Sequence, residues 1–173
     1  MWHRKNYQKN IKYKGYANTK MTICLWFDKQ GEEAANFYTS IFKNSSIGTI
    51  SRYGKEGFEF HGMPEGTALV VSFKLNDMNF SALNGGPRFK FNESMSIVVS
   101  CDTQEEIDHY WNSLTADGGQ ESQCGWLKDK YGISWQIIPS ILGSLMSDPT
   151  KASRVTMAFM QMKKMDIETL KNA

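Results

Sequence analysis

Long apolar runs are missing from this chain of 173 residues: none approaches the ~18–20 residues that a membrane-spanning helix needs. Histidine is scarce, with His3, His61 and His109 the only three, so an imidazole-rich metal site has little to draw on. Cysteine is scarce as well. Cys24, Cys101 and Cys124 make an odd count with no CxxC or zinc-type spacing, which excludes a disulfide framework and points to free thiols in a reducing compartment, the cytoplasm. The first twenty residues, "MWHRKNYQKNIKYKGYANTK", contain no acid and no apolar stretch of the secretory kind. They read as a basic, disordered leader, and Met21, directly before "MTICLWFD", reads as the natural start. The leader also hides the sign of the remainder. Removing its six positive charges turns a formal +2 into 14 Lys+Arg against 18 Asp+Glu, a net −4. A body of that sign argues against nucleic acid as a partner, and the missing apolar span argues against a membrane.

What is present is enough for a core. Hydrophobic residues make up 40% of the chain and aromatics 13%, which suits one compact domain or two small modules. Two modules are favoured because the chain repeats itself. "EEAANFYTSIF" lies on "EEIDHYWNSLT" at an offset of 73, matching Glu32 with Glu105, Phe37 with Tyr110 and Ile41 with Leu114. In each copy the apolar positions follow helical spacing: Ala34, Phe37, Tyr38, Ile41, and Ile107, Tyr110, Trp111, Leu114. Thr103 with Glu106 forms a capping-box pattern for the second helix. A second match, "LNDMNFSALNGGP" on "LKDKYGISWQIIP" at an offset of 52, pairs Asn84 with Gln136 and Pro87 with Pro139.

The expected fold is therefore α+β. Two pseudo-symmetric βαβββ modules, about 21–87 and 91–139, form a curved mixed sheet with a cleft, followed by C-terminal helices over 140–173. The first module's later strands lie near "IGTISRYG", "ALVVSFKL" and "NFSALN". The second module has room only for a weak strand around "GGQES". In the tail, Asp148-Pro149 reads as a helix start, Val155, Ala158, Phe159 and Met162 as a helical stripe, and Asp166 as a cap. The methionine excess there suggests an adaptable surface for homodimerisation.

Paired modules of this kind, with "FDKQGEEAANFYTSIF", "ALNGGPRFKFNESMSIVVSCDTQEEIDHYW" and "CGWLKDKYGISWQIIP" in place, resemble the vicinal oxygen chelate superfamily, which includes glyoxalase I and bleomycin-resistance proteins. The nearer resemblance is to its PhnB-like branch, often named 3-demethylubiquinone-9 3-methyltransferase. The resemblance implies four metal-ligand positions, one on the first and one on the last strand of each module. Carried over, they fall near Ile23, at Asn84, near Ser94 or Ser96, and at Gln136. None is His, Glu or Asp, and neutral amides are weak ligands for a divalent cation. No metal and no cofactor are therefore expected.

The expectation for function is a metal-independent binder of a small neutral or aromatic molecule. The alternative is a divalent-metal-dependent lyase, isomerase or dioxygenase of the same superfamily. Methyltransfer is disfavoured, because Gly85-Gly86 and Gly118-Gly119 precede strands and do not join a strand to a helix, as a glycine-rich cofactor loop would. Strand alternation places Gln136 and Ser134 on the cleft side, with Ile133, Trp135 and Ile137 in the core. The same rule, run through the offset of 52, places Phe80, Ala82 and Asn84 on the other wall. Ser96, Trp126, Cys124 and the loop residue His61 complete the candidate pocket. Lys128, Asp129 and Lys130 read as turn residues, and Glu93 as a surface residue at the rim.

Overall fold

Residues 21–173 are described in a computed structural model of the protein; the readings of a basic leader and of Met21 as the start fall on residues 1–20, outside it. The described residues divide after Gly86 into two units.

In the first unit the order is β1 (Ile23–Phe27), α1 (Gly31–Ile41), β2 (Ser46–Arg52), the one-turn helix α2 (Phe58–His61), β3 (Ala68–Leu75) and β4 (Met78–Asn84). The strands pair as β1-β4-β3-β2, with β1 parallel to β4 and the other pairs antiparallel. Helix α1 buries Ala34, Ala35, Tyr38 and Ile41, so the predicted stripe holds except that Ala35 goes inward and Phe37 is only half-buried. Its Tyr38 ring stacks on Phe73 at 6.2 Å, and Phe73 stacks on Phe80 at 5.2 Å. This stack joins helix to sheet, each ring burying on the order of 2 kcal/mol of apolar surface.

The second unit repeats the plan: β5 (Ser96–Cys101), α3 (Gln104–Thr115), a two-residue β6 (Gln120–Glu121), β7 (Trp126–Lys128) and β8 (Ser134–Pro139), paired as β5-β8-β7-β6. Here the predicted stripe of Ile107, Tyr110, Trp111 and Leu114 is the buried face without exception. Thr103 Oγ1 accepts from the Glu106 amide at 3.2 Å, as a capping box requires, but Glu106 Oε2 reaches the amide of Asp102, one residue earlier than the motif expects. The hydrogen-bonded ladders thus form two four-stranded mixed sheets of the same plan.

Three short helices follow: α4 (Leu142–Ser147), α5 (Ala152–Phe159) and α6 (Ile167–Lys171). Asp148-Pro149 does not open a helix. Asp148 ends α4, binds Thr150 through its carboxylate at 2.9 and 2.6 Å and accepts from the Ala152 amide through its carbonyl at 2.8 Å, so the pair makes a turn leading into α5, whose regular part begins at Ala152. The stripe shortens accordingly, since α5 ends before Met162 and only Val155 is fully buried. Asp166 does cap α6, accepting from the Thr169 amide at 2.7 Å. Gln104 at the start of α3 grips this tail from both sides, donating to the Met165 carbonyl and accepting from the Ile167 amide. The Met162 and Lys163 carbonyls are in turn held by the Cys124 and Gly125 amides at 2.7 Å each. Gly125 sits at φ 81, and a Cβ there would stand 2.6 Å from the Ile137 carbonyl oxygen, so this crossing requires glycine. No helix among the described residues is long and apolar enough to cross a membrane.

Candidate functional site

The offset of 52 does not survive the strand registers. Phe27 pairs with Asn84, and Cys101 pairs with Pro139. Phe27-Asp28 and Cys101-Asp102 open the same turn in the two modules, so Asn84 corresponds to Pro139. Gln136, which pairs with Val98, corresponds to Ser81, which pairs with Cys24. The structural offset between the last strands is therefore 55, an odd number, whereas 52 is even. In a strand that difference turns every side chain to the other face.

The first-unit candidates are corrected on this ground. Phe80, Ala82 and Asn84 face α1, the side of the sheet opposite to the one expected. Phe80 belongs to the ring stack, and Ala82 and Asn84 contact the start of α1 at Gly31, where an added Cβ would stand 3.2 Å from Ala82 Cβ and 2.8 Å from Asn84 Oδ1. Asn84 is 1% exposed. Its Oδ1 accepts from the Gly31 amide at 2.7 Å and its Nδ2 donates to the Ala68 carbonyl at 2.9 Å. Gln30, the residue at the cap position of α1, makes no side-chain capping bond to the helix; Asn84 caps that helix from across the sheet. Ile23 shares the parity of Leu25 and Phe27, which are core.

His61 is likewise spoken for. Its Nδ1 accepts from the Met63 amide at 3.0 Å, Nε2 lies 3.2 Å from the Glu56 carbonyl, and its ring packs 4.4 Å from Tyr53. It ties its own loop together.

The second unit keeps its candidates on one surface. Trp135 and Ile137 are core and Ile133 is buried, as expected. On the other face the registers set two adjacent rows. Gln120, Lys128, Ser134 and Ser96 form one; Trp126, Gln136 and Val98 form the next. Gln136 Nε2 donates to Ser96 Oγ at 2.8 Å, which joins two of the carried-over ligand positions through a neutral bond. Beside this pair opens a cavity of about 540 Å³ whose walls include Glu93, Gln120, Ser122, Trp126, Lys128 and Ser134. Cys124 also reaches the wall, from a left-handed turn position (φ 57) before β7. Gln136 and Ser96 stand next to the cavity and not in its wall.

One residue of the wall, Lys128, and one condition, that of the expected Ser134, were not legible in the sequence. Lys128 reads from sequence as a turn tip, yet it lies on β7 with the parity of Trp126 and is ion-paired with Glu93. That parity was the available signal. Ser134 is 1% exposed and its Oγ has no hydrogen-bond partner, a condition that sequence cannot reveal. Glu121, also in the wall, is committed elsewhere: Trp111 Nε1 donates to it at 3.0 Å and Lys163 Nζ lies at 3.4 Å, and these contacts hold its carboxyl below the usual range. Asp129 is the other correction. It is not a solvated tip but is 3% exposed, accepting from the Tyr131 and Ile133 amides at 2.9 and 3.1 Å and from Trp135 Nε1 at 2.8 Å.

A divalent cation, which the superfamily implies, does not fit the donors on this surface. The β5–β8 positions carry hydroxyls, an amide and a valine, and the described residues contain no group of three His, Cys, Asp or Glu that could hold an ion. Nor do the described residues place a glycine-rich turn between a strand and a helix. Gly85 and Gly86 follow β4 and bind back to Phe27 and Asp28, and Gly118 and Gly119 follow α3.

Two repeated βαβββ modules with a polar sheet face place the chain in a class of paired-module α+β proteins. Residues 19–138 match the family described as 3-demethylubiquinone-9 3-methyltransferase. The chain belongs to that family, the PhnB-like one. A solved PhnB protein from Bacillus cereus, given the same methyltransferase name, is 38% identical over 70% of this chain and 99% of its own, with a TM-score of 0.62. A Pseudomonas aeruginosa protein shares the fold at 15% identity over 70% of this chain and 97% of its own, with a TM-score of 0.55. No curated protein matches the chain.

Proposed function

We propose that this protein binds a small molecule in the second-module cavity, on the glyoxalase-type fold, without a divalent metal and without methyltransfer. One observation supports the reading most: a cavity of about 540 Å³ beside a sheet face of amides and hydroxyls with a single Lys128–Glu93 ion pair, and the buried Ser134 hydroxyl left without a partner. Buried polar groups are seldom unpaired, and one in a cavity wall is a place for a ligand atom. The half-buried Trp126 supplies an apolar wall for a planar body.

The test is a thermal-shift screen of EDTA-dialysed protein against hydrophobic antibiotics, quinones and thiol adducts, repeated with Trp126→Ala. A compound that raises the melting temperature of the stripped wild type, and loses that effect in the variant, is the expected outcome. Shifts that appear only after a divalent cation is restored would contradict the reading.

A further inference from the structure

The geometry points to a small aromatic carboxylate as the ligand of the second-module cavity, its carboxylate replacing that of Glu93 on Lys128. The inference rests on the reading that this cavity binds a small molecule.

Lys128 is the only cation among the described wall residues. Its ammonium has three donors, and the partner found for it is Glu93, a side chain 61% exposed that arrives from outside the sheet. Glu93 sits in a short turn before β5, where Asn92 Oδ1 accepts from both the amide and the hydroxyl of Ser94 at 3.0 and 2.5 Å. The turn holds Glu93 beside the cavity while leaving its head largely in water. An ion pair this exposed is weak, because water screens it, so another carboxylate can take its place. Such an exchange conserves the charge of the wall, which a neutral or cationic ligand at Lys128 would not.

Ser134 supplies the second contact. It lies opposite Lys128 in the β7–β8 register, on the same face, buried and without a partner. An ammonium cannot accept, so the atom that satisfies both Lys128 and Ser134 is an acceptor oxygen. Glu121, the other wall carboxylate, does not compete, because Trp111 and Lys163 hold it. Trp126, two residues along β7 with the same parity, gives the ring a surface to lie on.

The test is calorimetric titration of the full chain with benzoate, benzamide and benzylamine, alongside indole signals of nitrogen-labelled tryptophan, with Trp126 assigned by Trp126→Phe. Benzoate is expected to bind about tenfold more tightly than benzamide and to move the Trp126 signal. Glu93→Gln, which removes the competitor, should tighten benzoate about threefold. Lys128→Gln should bring benzoate down to the benzamide level. Benzamide or benzylamine binding as tightly as benzoate, or Lys128→Gln binding benzoate unchanged, would overturn the inference and leave the cavity reading standing. No binding by any probe at millimolar concentration, with the Trp126 signal unmoved, would overturn both. Circular dichroism of each variant confirms that the fold is retained.

Discussion

Asn84 and Gln136 look alike in the sequence and do different work. Asn84 is a helix cap set in the core; Gln136 is a half-buried amide on the opposite kind of face. Removing Asn84 leaves the Gly31 amide and the Ala68 carbonyl unpaired in a buried place. Asn84→Ala should cost about 3 kcal/mol in chemical denaturation, whereas Gln136→Ala should cost under about 1 kcal/mol. Cys101 separates from the other thiols in the same way. It is fully buried, and that burial, with the nearby Glu106 and Asp102 charges, pushes its thiol up to about 12 from an ordinary 9.0. The folded value lies above the unfolded one, so its contribution to stability is fully present below pH ~9 and is lost as the pH rises toward 12. Iodoacetamide at neutral pH should therefore label the exposed Cys24 and spare Cys101 until the protein is denatured, as peptide mapping would show.

At the scale of elements, the helices were legible and the strand faces only partly so. Helices α1 and α3 announce themselves because their apolar spacing is periodic over eleven and twelve residues, long enough to average out a local exception such as Phe37. Strand faces rest on parity alone, and parity carried between modules fails with a single odd error. The alternation within "ISWQIIP" assigned β8 correctly because it used no second strand. The alignment of Asn84 with Gln136 assigned β4 wrongly because the intervening turns differ in length. The β7–β8 turn shows the same limit. Its Lys-Asp-Lys-Tyr-Gly composition reads as solvated, and only the fold reveals that Asp129 is enclosed by two amides and an indole. Asp129→Ala should destabilise by about 4 kcal/mol, with Asp129→Asn recovering part of this because one acceptor oxygen remains. Urea titrations of the pair would check it.

For the whole molecule, family and fold were readable from the motifs and the cavity only in part: Ser134, Trp126 and Cys124 are named as pocket candidates by the sequence and stand in its wall, whereas Lys128 and Glu93 read as turn and surface residues. The methionines of the tail stay open to a partner: Met157 and Met160 are each 60% exposed. Sizing at micromolar concentration should report a dimer, and Met157→Lys with Met160→Lys should shift it to monomer. We expect the surface around Ser134, Gln136 and Trp126 to work through amides, hydroxyls and one ion pair, not through a metal. Elemental analysis of freshly purified protein tests this most directly. Divalent metal is expected far below one ion per chain, unchanged by Gln136→Ala. One tightly held ion per chain, lost in that variant, would contradict it.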